Sequence, residues 1–507
     1  MIRAGACIGV ILVMLLNVVL AADEAGVTAL TDRLEHPLWT ARRDAADAIA
    51  AYGPAGSDAI PALIRSLDDV DVQVRRATVQ ALAAVGAGSD AALPGFLQAL
   101  NDSDWVVRRS AALSFEGTGS AAAVTRIREL LSSDNTDVRT SAALALSGLA
   151  PESRAAIPEL IMALDDADWQ LRAAAAHALG AMGAAAADAA PALARTLRDR
   201  DWGVAEQVVE ALARIGEPAL PELIEALEDP SLVVRWGAVR ALGRIGPDAK
   251  AAVPALAGVL DDSQLQVRWA AAKSLWAIGP AAAGAAPELA LALSDKDWVV
   301  RWSSARALGA IAVDAHLDAI VTALATALED RDSRVCEAAA FALEQIGTAA
   351  AAAVPALSIA ATGSGSAEPP SCQVIDVVPA AEQLLMENGW TVRWAASRAL
   401  GVVGRGNRDA LPSLTQALQD EQWQVRGVAA LAVGQFGDRA TPAAIAAVAG
   451  VMQDERAPVR KAATMALGEI GPLARTEMPA LRAASDDEDE AVRDAAAVAI
   501  VRVSGNP

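Results

Sequence analysis

Histidine, cysteine and tyrosine are almost missing from this sequence, with three, three and one in 507 residues. The histidines stand as His36-Pro37, His177-Ala178 and His316-Leu317, so no His-Glu pair is present to hold iron, and His177 reads as a surface residue of a helix. There is no Cys-x-x-Cys, no glycine loop to cradle phosphate and no Gly-x-Ser-x-Gly turn to present a nucleophile. The acidic run DDEDE at 486–490 falls at a turn and lacks the glycine and closing glutamate of a calcium loop. No catalytic residue, metal or cofactor is therefore expected. Positive charge is short as well. A formal net charge of −21 argues against nucleic acid or anionic lipid as a partner.

Long apolar runs are confined to the N-terminus. MIRAGAC carries one positive charge, IGVILVMLLNVVL is a 13-residue apolar run, and Val19-Leu20-Ala21 supplies small residues for cleavage. Residues 1–22 thus read as a secretory signal peptide, too short and wrongly flanked for a stable span, with an uncleaved signal anchor as the alternative. Cys7 precedes the run and is misplaced for lipid attachment. Residues 23–507 are expected to be exported, to a periplasmic or extracellular space. Only Cys336 and Cys372 lie in that part, too few for a disulfide scaffold but enough for one bridge in an oxidising compartment.

What is abundant is a repeat. Arginine recurs at Arg42, Arg75, Arg108, Arg139, Arg172, Arg235, Arg268, Arg301, Arg393, Arg426, Arg460 and Arg493, mostly 33 residues apart, and Ala205 and Cys336 fill the same slot in two further units. Residues 251–279, AAVPALAGVLDDSQLQVRWAAAKSLWAIG, show the physics. Pro254 suits a helix start, where its missing N–H costs nothing. Asp261-Asp262-Ser263 makes a turn able to cap a second helix. Val267, Ala271, Leu275 and Ile278 form one apolar stripe, and Gly279 ends the helix. No single pair can bury its stripe alone, so neighbours must stack.

The helix-start proline, the Asp turn, Val-Arg, Ala-Ala-x-Ala-Leu-Gly and the final glycine resemble HEAT repeats, specifically the short HEAT-like repeats of phycobilin lyases. The resemblance spans about residues 24–504. It implies an all-α, right-handed α-solenoid of about fourteen stacked helix pairs, with the Val-Arg helices lining a concave side. It also implies a structural ladder of turn aspartates and arginines, carried here by Asp262 with Arg268 and by Asp295 with Arg301.

The period breaks once, with a 57-residue step between Cys336 and Arg393. Residues 362–376, TGSGSAEPPSCQVID, read as a surface loop. Residues 354–361 then look like an orphan first helix, and 377–388 like a second first helix. Cys336 and Cys372 are expected at the same edge, where they could form a disulfide.

Tryptophan is over-represented, with twelve against one tyrosine and four phenylalanines. Trp39, Trp105, Trp169, Trp202, Trp298, Trp390 and Trp423 lie three residues before the arginine slot, and Trp236, Trp269, Trp302 and Trp394 one residue after it. Only Trp276 falls elsewhere. A residue just after the arginine points away from the core stripe, toward the concave groove. Four residues on, Arg240, Lys273, Arg306 and Arg398 place a cation beside each later tryptophan. Such pairs either brace the helix face or line a ligand groove. The groove reading makes Trp236, Arg240, Trp269, Lys273, Trp298, Trp302, Arg306, Trp390, Trp394 and Arg398 a partner-binding surface. The favoured function is a noncatalytic scaffold that binds a protein or extended peptide. The alternative is a carbohydrate-binding module using the tryptophan row. A phycobilin-lyase-like enzyme, the third reading, sits poorly with export.

Overall fold

The computed structural model describes residues 24–115, 121–150, 152–312, 316–363 and 389–505. The N-terminal apolar run, Cys372 and most of the expected 362–376 loop lie outside those residues. Among the described residues every regular element is helical, and the fold is an all-α solenoid of helix pairs. Fourteen pairs run from Glu24–Arg33 with Trp39–Ala50 to Met478–Ala484 with Glu490–Ser504. They belong to two compact units that divide between Ala241 and Leu242.

One repeat of the second unit explains the rest. Its first helix, Val253–Gly258, carries Pro254 in its first turn, and its second helix is Leu265–Ile278. Val267, Ala271, Leu275 and Ile278 are all fully buried, as the stripe requires. Gly279 closes the helix at φ +67°, a conformation that side-chain-bearing residues avoid. Asp262 does not cap this helix. Its carboxylate instead accepts the backbone N–H of Gln264 at 2.8 Å and so braces the turn. In other repeats the aspartate nearest the helix does cap it, as Asp104 does for Val106 and Val107.

The glycine of Ala-Leu-Gly is a packing device. A Cβ on Gly309 would lie 2.8 Å from the Cα of Ala342 in the next second helix. Gly180 stands in the same relation to Ala211, at 2.7 Å. Absence of a side chain lets successive second helices touch, which brings their outer faces side by side.

The break in period is placed differently from the sequence expectation. Val354–Thr362 packs against Trp390–Val403 and against the first helix Leu411–Ala417. It is therefore no orphan but the first helix of the Trp390 pair. The extra residues fall between the two helices of one repeat, and 377–388 lie outside the described residues.

Candidate functional site

The arginine slot builds the frame. Arg301 Nη1 donates to the backbone carbonyls of Asp295 and Lys296 at 2.9 and 3.3 Å. Its Nε and Nη2 donate to the two carboxylate oxygens of Asp330, in the next repeat, at 2.7 and 2.8 Å. Arg268 repeats this, reaching the Asp262 carbonyl at 2.9 Å and the Asp295 carboxylate at 2.7 and 3.1 Å. The expected rungs Asp262–Arg268 and Asp295–Arg301 are thus corrected: within a repeat the contact is to a carbonyl, and the carboxylate rung runs one repeat forward. Folding Nη1 back over its own turn leaves the Nε–Nη2 edge facing the next turn. The first unit has the same rungs at Arg42–Asp69, Arg75–Asp102 and Arg172–Asp199. The second adds Arg393–Asp420, Arg426–Asp454 and Arg460–Asp487.

These rungs use up acids that could otherwise suggest chemistry. Within DDEDE, Asp487 is held by Arg460, and Asp489 caps the last helix through Ala491 and Val492. Hydrogen bonds from Arg172 and Arg460 hold the carboxyls of Asp199 and Asp487 below the usual aspartate range. Among the described residues no group of histidine, cysteine and acid side chains could hold a metal ion. Cys336 takes the arginine's place and donates its thiol to the Asp330 carbonyl at 3.1 Å. Burial, helped by the charges of Asp330 and Asp332, pushes that thiol up to about 12. The expected bridge to Cys372 falls partly outside the described residues, and Cys336 itself is a buried free thiol.

On the second helices the predicted Trp–cation pairs are stacked. In the first unit Arg240 lies 4.8 Å from the Trp236 ring and 5.7 Å from that of Trp202, and the two rings are 5.2 Å apart. Glu206 closes this group with an ion pair of 2.7 Å to Arg240. In the second unit Lys273 sits 5.3 Å from the Trp269 ring. Arg306 is sandwiched, 4.5 Å from Trp276 and 5.5 Å from Trp302. Arg398 lies between Trp394 and Phe341, at 5.4 and 5.1 Å, and pairs with Glu344 at 2.9 Å. All four of these later tryptophans are half-buried, so their rings pack as well as present themselves.

Two expected members make different contacts. Trp298 packs with Leu265 and Trp269 on Ala292, Val299 and Val300, and Arg334 covers its ring at 3.3 Å. Trp390 is half-buried and stacks on no ring or cation among the described residues. Sequence reasoning missed Trp276, Phe341, Arg334, Glu206 and Glu344. The available signal was register: Trp276 and Glu344 occupy the eighth position after the slot, which is glycine at Gly180, Gly309, Gly401, Gly434 and Gly468. At Trp276 and Glu344 the side chain that replaces the glycine meets the cation of the next repeat, Arg306 and Arg398.

The first unit carries a second feature. A cleft of about 720 Å³ is lined by Trp105 and Trp169 together with Thr140, Gln170, His177 and Gln207. Trp105 and Trp169 are 62% and 48% exposed, far more than a packing role needs.

The HEAT-repeat family model matches residues 27–116, 93–180, 157–231, 190–276, 220–309 and 378–468, and a HEAT-like repeat model matches 298–346. The chain belongs to the HEAT-repeat family. No curated protein sequence matches it. Among solved structures it is similar to Kap121p bound to Pho4p, at 13% identity and a TM-score of 0.63, covering 94% of this chain and 57% of that one. Kap121p bound to the extreme C-terminus of the protein phosphatase Cdc14p gives 14% identity and a TM-score of 0.62, with 94% and 56% covered. The chain thus spans a little over half the length of these structures. Their likeness concerns the fold.

Proposed function

We propose that the chain is a noncatalytic, exported scaffold that binds an extended polypeptide partner on the tryptophan–cation face of its second helices. The observation that carries this reading is Arg306, which lies over the rings of Trp276 and Trp302 at 4.5 and 5.5 Å with no carboxylate partner among the described residues. A pre-ordered guanidinium with aromatic walls loses little entropy on binding, and tryptophan and arginine dominate binding hot spots. Kap121p is bound to Pho4p in one solved structure and to the extreme C-terminus of Cdc14p in another, which supports a polypeptide as the ligand class. Export rests on the composition of residues 1–22, and the net charge of −21 favours a partner other than nucleic acid.

Selection from a random peptide display library with the mature chain tests the proposal. Enriched peptides are expected to lose affinity by about 2 kcal/mol or more on Trp302→Ala. Failure to enrich any peptide, or indifference of all of them to Trp302→Ala, would reject it.

A second reading is saccharide binding, and the cleft of the first unit favours it. Trp105 and Trp169 offer flat rings, and Gln170, His177 and Gln207 have no side-chain partner among the described residues. Polar donors and acceptors beside exposed indoles suit sugar hydroxyls, and Arg108, Arg109 and Asp137 line the same cleft. Retention on a polysaccharide panel, abolished by Trp105→Ala and Trp169→Ala but not by Trp302→Ala, would establish that reading instead.

A further inference from the structure

The four cations five residues after the arginine slot divide into two kinds. Arg240 and Arg398 each hold a carboxylate of this chain, Glu206 at 2.7 Å and Glu344 at 2.9 Å. Lys273 and Arg306 hold none among the described residues, although each lies on an indole face as the other two do. The difference traces to two register positions: Glu206 stands one residue after its slot, where other units carry Trp236, Trp269, Trp302 and Trp394, and the second lies further along the helix. Glu344 stands eight residues after its slot, and Trp276 stands eight after Arg268. Arg306 therefore meets a ring where Arg398 meets an acid.

An indole face satisfies the plane of a guanidinium but not its edge. Five N–H donors lie in that plane, and a carboxylate takes two of them in parallel. At Arg240 and Arg398 the chain's own glutamates engage that chemistry. At Arg306 the rings of Trp276 and Trp302 lower the local dielectric and leave the edge uncommitted, which strengthens any charge-assisted bond made there. Lys273, stacked on Trp269, lies one helical turn from Trp276 on the same helix, and Trp276 in turn carries Arg306. We infer that Lys273 and Arg306 form a docking site for carboxylate side chains of an acidic segment in the polypeptide partner, a site that Glu206 and Glu344 fill from within at Arg240 and Arg398. The inference rests on the polypeptide-binding reading above and assigns the partner's chemistry. The net charge of −21 adds selectivity, because an acidic segment is repelled except where its carboxylates register on these cations.

The test is calorimetric titration of the mature chain with a blocked Glu-Leu-Glu peptide and with its Gln-Leu-Gln counterpart. The glutamate peptide is expected to bind at least about tenfold more tightly. Arg306→Gln and Lys273→Gln should each remove most of that preference, and Arg306→Lys should retain part of it. Glu344→Gln should free Arg398 and raise either the affinity or the number of peptides bound. Circular dichroism on each variant separates lost binding from lost fold. Equal binding of the two peptides, no binding of the glutamate peptide, or a preference unmoved by Arg306→Gln overturns the inference. Inorganic phosphate is the competing anion; phosphate bound at Arg306 without a glutamate preference also overturns it. If both peptides bind equally and both lose affinity on Trp302→Ala, the polypeptide reading stands while the carboxylate assignment falls.

Discussion

Arg301 and Asp330, 29 residues apart, are joined by two parallel hydrogen bonds of 2.7 and 2.8 Å, with side chains only 5% and 10% exposed. Arg301 also closes its own turn through the Asp295 carbonyl, so one guanidinium ties two consecutive repeats. Removing it leaves a desolvated carboxylate without its cation. Arg301→Ala should therefore cost about 3–5 kcal/mol in urea unfolding, as broken buried pairs do. Arg301→Lys should recover only part, since an ammonium cannot reproduce the fork. A loss under about 1 kcal/mol, the range of an exposed pair, would show that the rung contributes no more than a surface contact.

The same rungs set an acid limit. Asp199 and Asp487 are held below the ordinary aspartate value of 3.8 by hydrogen bonds from Arg172 and Arg460. A depressed folded-state value means that the carboxylates contribute stability above the unfolded pKa. That contribution is lost as pH falls through the folded one. Stability should be flat near neutrality with respect to these groups and decline below about pH 4. Asp199→Asn should be less stable at pH 7 and show a shallower decline in acid. A variant whose acid profile parallels the parent would place the sensitivity elsewhere.

Much of this architecture is legible along the chain. The stripe Val267, Ala271, Leu275 and Ile278 is local, so periodicity alone identifies the buried face. The stacking of Lys273 on Trp269, and of Arg306 on Trp302, follows from spacing within one helix. What spacing cannot supply is the offset between repeats. Whether Arg268 takes the Asp262 or the Asp295 carboxylate depends on how far the next turn is displaced. The contacts of Arg306 with Trp276, Arg398 with Glu344 and Arg240 with Glu206 depend on that same displacement. The surroundings of Trp298 depend on it too: three residues before the slot, its ring packs on the same buried cluster as Leu265 and Trp269 of the neighbouring helix. Residues 354–361 read as an orphan because 377–388, with their own proline and apolar spacing, look like a nearer first helix for the Trp390 pair.

Cys336 gives a chemical check on the ladder. Its thiol is buried, donates to Asp330 and is pushed up to about 12, so the reactive thiolate is scarce at neutral pH. Alkylation of the native chain should be slower than that of the unfolded chain by about two orders of magnitude or more. Non-reducing digestion is expected to recover Cys336 as a free thiol. Recovery of a Cys336–Cys372 peptide pair would show that the thiol leaves its place beside Asp330.

A solenoid of nearest-neighbour contacts should tolerate shortening at a repeat boundary. Deleting residues from 439 onward removes the last two helix pairs and takes Asp454 from Arg426. The new terminal repeat should fray, while the preceding pairs keep their own rungs. Circular dichroism should fall in proportion to the helices removed, with a single lowered melting transition. Wholesale loss of helix would mean that the stack depends on distant contacts.

Trp302 decides whether the aromatic face is packing or function. Its ring is half-buried beneath Arg306, so Trp302→Ala removes some apolar contact as well as a binding surface. The expected stability cost is roughly 1–2 kcal/mol, well short of the value for a fully buried tryptophan. The loss of affinity for an enriched peptide should be about 2 kcal/mol or more, because the substitution takes away one wall of the Arg306 sandwich. Trp105, 62% exposed in the other unit, supplies the comparison. Trp105→Ala should leave stability within about 0.5 kcal/mol and leave the same peptide's affinity unchanged. Both variants need a thermal melt and a titration with one peptide. A large melting loss for Trp302→Ala with unaltered affinity would make the Trp–cation stacks a bracing device of the helices, and the binding face would have to be sought at the exposed indoles of the first unit.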